Sequence, residues 1–74
     1  MRKIRNNLKD ARESKRYSVE EMAERLQISE SYYYKIEQGT RNPTLGLAQQ
    51  IADILGESVE RLFFNSRIGQ NVYR

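Results

Sequence analysis

The side chains of this chain that could do chemistry are carboxylates, hydroxyls, amides and cations, because its 74 residues include no cysteine, histidine or tryptophan. Without cysteine or histidine there is no nucleophile–imidazole pair, no disulfide, and no thiolate or imidazole ligand for a metal. We therefore expect no catalytic site, no metal and no cofactor, and no small-molecule ligand is evident. An enzyme is the weakest interpretation of this sequence.

Groups that can form hydrogen bonds are concentrated in residues 29–38, a segment that reads as one helix. At 100° per residue, Tyr33, Ile36 and Glu37 share one face, which we expect to be buried. Tyr32 falls on the flank of that face. The opposite face is rich in donors and poor in aliphatic side chains, and its members are Ser31, Tyr34, Lys35 and Gln38.

The side chains of this outer face can all hydrogen-bond the edges of nucleic-acid bases or the phosphates of the backbone. The alternative is an ordinary polar surface helix with exposed tyrosines. On the inner face, Glu37 needs a cationic partner, because a buried carboxylate without one is costly.

The formal net charge of +3 is unevenly distributed along the chain. Residues 1–17 hold seven basic and two acidic side chains, whereas residues 18–34 hold one basic and four acidic side chains. A basic first segment suits a polyanion such as DNA, and a solvated basic helix face is the alternative. Charge alone does not identify the partner.

Apolar periodicity and capping residues predict an all-α fold, a compact bundle of five helices with short connections. Helix 1 spans roughly residues 2–15. Helix 2 begins with a capping box in which Glu21 is the acidic member, and Gly39 ends helix 3. The residues that we expect to precede helices 2 to 5 as N-caps are Ser18, Ser29, Thr44 and Ser58.

The apolar positions of these helices form a small predicted core. Its members are Ile4, Leu8, Ala11, Met22, Ala23, Leu26, Ile28, Tyr33, Ile36, Leu45, Ala48, Ile51, Leu55, Val59, Leu62 and Phe63. No apolar run approaches the roughly 20 residues needed to span a bilayer, and the basic N-terminus lacks the apolar stretch of a signal peptide. We expect one domain over residues 1–64, a C-terminal tail over residues 65–74, and no association with membranes.

Helices 2 and 3 follow each other so closely that they form a helix-turn-helix pattern. Beyond that pattern, a set of residues spread over 4–64 falls in a characteristic order and spacing: Leu8, Arg12, 18–26, Ile28, Ser29, 36–39, 41–43, Leu47, Ile51, Ala52, Leu55, Gly56, Leu62 and Phe63. In these residues the chain resembles the phage-repressor helix-turn-helix family, the XRE or Cro/lambda-repressor-like transcriptional regulators.

The resemblance implies a lambda-repressor-like domain whose third helix, about residues 30–38, enters the major groove of double-stranded DNA. Such proteins are commonly two-fold dimers on palindromic DNA. The positions that the resemblance assigns to base edges are Glu30, Ser31, Tyr34 and Lys35. The positions that it assigns to phosphates are Ser29, Tyr32, Gln38, Arg41 and Asn42.

Two roles need separate comment. The pair Arg12 and Glu37 resembles the internal salt bridge of the family between helices 1 and 3, and we interpret it as structural. Glu30 has two readings: its carboxylate accepts a hydrogen bond from cytosine N4, or it stabilises the helix N-terminus by about 0.3–1 kcal/mol. We favour the second interpretation, in which Glu30 stabilises the helix N-terminus.

Three residues depart from the pattern of the family. Gln27 occupies the turn position that is often glycine, where a left-handed conformation costs about 1–2 kcal/mol. Val19 replaces a glutamine that often grips phosphate, so that side-chain contact is absent. Gln38 replaces the usual asparagine before Gly39. These changes leave the inference of DNA binding intact and affect only the individual contacts.

The function that we expect is a sequence-specific, double-stranded DNA-binding transcriptional regulator, repressor-like, acting in a bacterial or phage-type cytoplasm on the nucleoid. The alternative is a protein-interaction module, such as an antitoxin or a mobile-element regulator, in which DNA binding is secondary. Tyrosine-rich faces are good protein anchors, which motivates this alternative.

We also expect a homodimer that forms through helix 5 and the C-terminal tail. The alternative for the tail is a frayed C-terminus. The residues expected to form the dimer contact are Leu62, Phe63, Phe64, Ile68 and Val72.

Overall fold

The computed structural model describes residues 4–64, and all the regular structure within them is helical. The helices are α1 (Asn6–Ser14), α2 (Val19–Leu26), α3 (Glu30–Gln38) and α4 (Leu45–Leu55). A short π-helical segment, Glu60–Phe64, follows and is numbered α5. The predicted all-α fold of five helices is therefore confirmed.

Each of the four residues expected to be an N-cap accepts a hydrogen bond from a backbone N–H of the helix that follows it. The Glu21 backbone N–H donates to Ser18 Oγ at 3.0 Å, and the Ser18 backbone N–H donates to Glu21 Oε1 at 2.8 Å, which completes the capping box. The hydroxyl oxygens of Ser29, Thr44 and Ser58 likewise accept from the backbone N–H three residues later. Local side chains thus set where α2, α3, α4 and α5 begin.

A residue in the left-handed conformation follows each of the first four helices, directly after α2, α3 and α4 and two residues after α1. Gly39 and Gly56 have φ of 81° and 69°, as expected for glycine after a helix. Arg16 and Gln27 adopt φ of 63° and 60° although both carry a Cβ atom. At Gln27, the next N–H, that of Ile28, donates to the Ala23 carbonyl at 3.0 Å and closes the turn between α2 and α3.

The core lies where α2 packs against α3 and α4, and where α1 packs against α3 and α5. Ten residues form its buried cluster: Leu8, Met22, Ala23, Leu26, Tyr33, Ile36, Ile51, Ala52, Leu55 and Leu62. Of the other predicted core residues, Ala48 is buried as well. Ala11, Ile28, Val59 and Phe63 are half-buried and pack against the cluster.

Two predicted core residues are in fact exposed, and the predicted start of helix 1 is wrong. Ile4 is 43% exposed because the chain is not yet helical there: the Arg5 backbone N–H donates to the Glu37 carbonyl at 2.9 Å, and α1 begins only at Asn6. Leu45 is 68% exposed because it is the first residue of α4, in which Leu47 is half-buried and Ala48 is the first fully buried residue. Periodicity correctly placed Leu45 on the inward side of α4. It does not show where along the helix that side becomes covered.

Candidate nucleic-acid interface

The inner face of α3 is fixed to α1 by a buried polar network. Arg12 Nε and Nη2 donate to the two carboxylate oxygens of Glu37 at 2.6 and 3.1 Å, so the guanidinium and carboxylate meet as a fork. Tyr33 Oη donates to Glu37 Oε2 at 2.9 Å, and Arg12 Nη1 donates to the Tyr17 carbonyl at 2.8 Å. All four donors are satisfied, and the network fixes the rotation of α3 about its own axis.

Burial and charge within this network shift two pKa values. Burial raises the pKa of Tyr33 above its ordinary value, and the Glu37 carboxylate adds to that rise. The hydrogen bond to Glu37 raises the pKa of Arg12. Both shifts keep the network in the protonation state that its hydrogen bonds require.

The raised pKa of Tyr33 predicts a loss of stability in alkaline solution. The folded protein keeps the Tyr33 proton to higher pH than the unfolded chain, so its contribution is complete below about pH 10 and declines above it. Tyr33→Phe should cost about 1 kcal/mol at neutral pH and make the alkaline decline shallower. Urea unfolding between about pH 8 and 11 measures this. The matched control is the exposed Tyr34→Phe, and equal slopes in both variants would contradict the prediction.

The outer face of α3 presents the four side chains assigned to base edges. Glu30, Ser31 and Lys35 are exposed, and Tyr34 is 51% exposed. Within residues 4–64 none of these four side chains makes a hydrogen bond or an ion pair. Their polar atoms are therefore available to a partner molecule.

Residues assigned to phosphates flank this face on the α3 N-terminus and on the loop 39–43. The guanidinium of Arg41 lies over the ring of Tyr32, with 5.1 Å from Cζ to the ring centroid. Asn42 is exposed, Gln38 is half-buried, and Ser29 uses its hydroxyl oxygen as the cap of α3. Since a serine hydroxyl also carries a proton, Ser29 keeps a donor for an anion.

Arg5 belongs to this region although sequence reasoning counted it only as part of the basic first segment. Its Nη1 atom donates to the carbonyls of Ile36 at 2.7 Å and Arg41 at 3.1 Å. Its Nη2 atom donates to Asn42 Oδ1 at 2.7 Å, and burial lowers its pKa. These partners are more than thirty residues away along the chain, so no local pattern indicated them.

The turn between α2 and α3 carries the strain expected at Gln27, whose φ is 60° and ψ is 43°. Gln27→Gly should stabilise the protein by about 1 kcal/mol, because glycine adopts this conformation without a Cβ clash. Gln27→Ala is the matched control and should give no gain, since alanine keeps the Cβ atom. Thermal or urea unfolding measures both variants, and equal stabilisation by alanine and glycine would refute strain at this residue.

The residues expected to form a dimer contact have different environments. Leu62 is 3% exposed and belongs to the core of the single chain, so it is not available as an intermolecular contact. Phe63 is half-buried, whereas Phe64 is 71% exposed. Ile68 and Val72 lie outside the described residues.

Across residues 4–64 no three acidic side chains come together as a metal site would require. No helix among these residues is long and apolar enough to cross a membrane.

Comparisons with known proteins agree with this geometry. A helix-turn-helix family model matches residues 8–62. An uncharacterised HTH-type transcriptional regulator of Bacillus subtilis strain 168, YqaF, is 40% identical over 53 residues, which are 72% of this chain and 70% of that protein. The crystal structure of the restriction-modification controller protein C.AhdI from Aeromonas hydrophila superposes with a TM-score of 0.70 at 29% identity, covering 78% of this chain and 88% of that one.

Proposed function

Because this chain belongs to the helix-turn-helix family, we propose that it is a DNA-binding transcriptional regulator that recognises a specific sequence of double-stranded DNA. The observation that carries this proposal is the outer face of α3, where four polar side chains are exposed and, within residues 4–64, make no hydrogen bond or ion pair. A helix presented in this way fits the major groove of B-DNA, which is wide enough to admit it.

The chemistry of the outer face suits readout of bases. Lys35 donates to guanine O6 or N7, Ser31 donates or accepts, and Tyr34 contacts a thymine methyl group or a phosphate. Arg41 and Asn42 are exposed on the adjoining loop, and we assign them to the phosphate backbone. Similarity to a transcriptional regulator and to a restriction-modification controller protein supports this assignment.

The test is an in vitro selection of bound duplexes from a random pool, followed by fluorescence anisotropy titrations. The selected duplex should bind the protein more tightly than a scrambled duplex of the same length, and both affinities should fall as salt rises. Equal affinity for the two duplexes, or no dependence on salt, would overturn the proposal. The selected sequence also reports symmetry and half-site spacing.

The protein further acts, in our proposal, as a homodimer on a palindromic site in the cytoplasm, with repressor-like action. Phe64 supports the dimer, because a phenylalanine that is 71% exposed at the end of α5 favours an apolar partner. Two recognition helices would then read half-sites about 34 Å apart. Sedimentation equilibrium should give a dimer that Phe64→Ser weakens, and a monomer at high micromolar concentration would overturn this proposal.

A further inference from the structure

Arg5 contacts both the C-terminal turn of α3 and the loop 39–43 that follows it. Its guanidinium donates to a carbonyl of the last turn, that of Ile36, and its backbone N–H donates to the carbonyl of Glu37. Carbonyls in the last turn of a helix lack the N–H partner four residues later, and a cation there is also favoured by the helix dipole. The Ile36 carbonyl accepts from the Gly39 N–H at 3.1 Å as well, so the guanidinium is its second donor. Arg5 therefore acts as a cap supplied from outside α3.

The same guanidinium also fixes the loop 39–43. It donates to the Arg41 carbonyl at 3.1 Å and to the Asn42 side chain at 2.7 Å. On the side of α5, its Cζ atom lies 5.6 Å from the centroid of the Phe63 ring. The loop is thus attached through one side chain to the end of α3 and to α5.

The contact with Asn42 determines which atoms of its amide face outward. Arginine has only donors, so the amide atom facing it is Oδ1 and the Nδ2 group is left over. Asn42 is exposed, so the two N–H bonds of that group are available to an acceptor such as a phosphate oxygen. A free asparagine would present either atom.

We propose that Arg5 is a positioning residue for DNA binding: it holds the loop 39–43 so that the Asn42 amide donates to the phosphate backbone. This inference rests on the proposed function for its DNA partner, but the attachment of the loop is a property of the free protein. The Nη atoms of Arg5 donate to acceptors within the chain, whereas the guanidinium of Arg41 is assigned to a phosphate.

Arg5→Lys tests the attachment, because lysine keeps the charge and loses the fork that reaches several acceptors. In the free protein, the Thr40 and Arg41 amides, which donate to the Lys35 carbonyl at 3.0 and 3.2 Å, should exchange hydrogen about tenfold faster. Amides within α2 should exchange as in the parent protein. The matched control is Arg61→Lys, because the exposed pair of Arg61 with Glu57 survives the change.

Asn42→Asp separates attachment from DNA contact. A carboxylate still accepts from Arg5, so the exchange of the Thr40 and Arg41 amides should stay at the parent rate or slow further. The donors to phosphate are gone and a negative charge faces the phosphates, so binding of both selected and scrambled duplexes should weaken at least about tenfold. The neutral Asn42→Ala also lacks the donors, and a loss of binding in it reports the donors without the added charge.

A double-mutant cycle on the selected duplex completes the test. Arg5→Lys should weaken binding about tenfold in the parent protein and less than threefold in an Asn42→Ala background, because the two residues act through one contact. Multiplicative losses would overturn the proposal, as would unchanged loop exchange in Arg5→Lys. If the parent protein bound no duplex, the proposed function would fail and the DNA role of Arg5 with it, whereas faster loop exchange would still establish the attachment.

Discussion

Glu37→Gln is expected to destabilise the protein by about 3–5 kcal/mol, the cost of breaking a buried ion pair. Glu37 is 2% exposed, and its carboxylate accepts three hydrogen bonds, two from Arg12 and one from Tyr33. The glutamine amide is neutral and brings its own donors toward those of Arg12, whose guanidinium stays buried without a counter-charge. Because domains of this size are stable by only about 5–15 kcal/mol, the midpoint of urea unfolding should fall steeply.

The matched control is Glu57→Gln, which breaks the exposed ion pair with Arg61. That pair joins side chains that are 64% and 35% exposed, so its loss should cost at most about 1 kcal/mol. Similar losses of stability in the two variants would show that burial does not determine how much the Arg12–Glu37 pair contributes to stability. Replacing Arg12, Glu37 and Tyr33 together by Met, Leu and Phe should recover most of the stability, because no charge is then left buried.

Lys35→Ala is expected to relax sequence preference at one base-pair position, with a loss of about 1–3 kcal/mol for the selected duplex. Lys35 is exposed on the outer face of α3 and has no partner within residues 4–64. Its removal should therefore leave folding unchanged and alter only the contact with DNA. Anisotropy titrations against duplexes that vary at each position measure the effect.

Arg41→Ala is the matched contrast, because Arg41 is assigned to phosphate. It should weaken selected and scrambled duplexes alike and reduce the slope of log affinity against log salt by about one. If Lys35→Ala also weakened all duplexes alike, Lys35 would contact the backbone and the assignment of roles on the outer face would be wrong.

Local patterns in the sequence predicted the helices and the two faces of α3 well. A serine or threonine hydroxyl reaches only the next few backbone N–H groups, so the caps at Ser18, Ser29 and Thr44 could be read directly. The rotation of α3 followed from periodicity, which correctly buried Tyr33 and Glu37. Periodicity predicted only that Glu37 needs a cationic partner. The resemblance to the family identified that partner as Arg12.

Features that depend on distant parts of the chain could not be predicted. The contacts of Arg5 join segments more than thirty residues apart, and nothing in residues near Arg5 specifies them. The left-handed conformation of Arg16 has no sequence signal, because arginine is not a residue that favours it. The exposure of Ile4 and Leu45 depends on where α1 begins and on how much of the first turn of α4 the rest of the fold covers, and periodicity gives neither.

The division of α3 into two faces has a consequence for how such proteins diverge. Inner residues are tied to α1, so a change at Glu37 is tolerated only together with changes at Arg12 and Tyr33. Within residues 4–64 the side chains of Ser31 and Lys35 have no such linkage, so substitutions there should cost little stability. Under the proposed function, duplicated copies of the gene could therefore change their DNA preference one outer residue at a time without altering the scaffold.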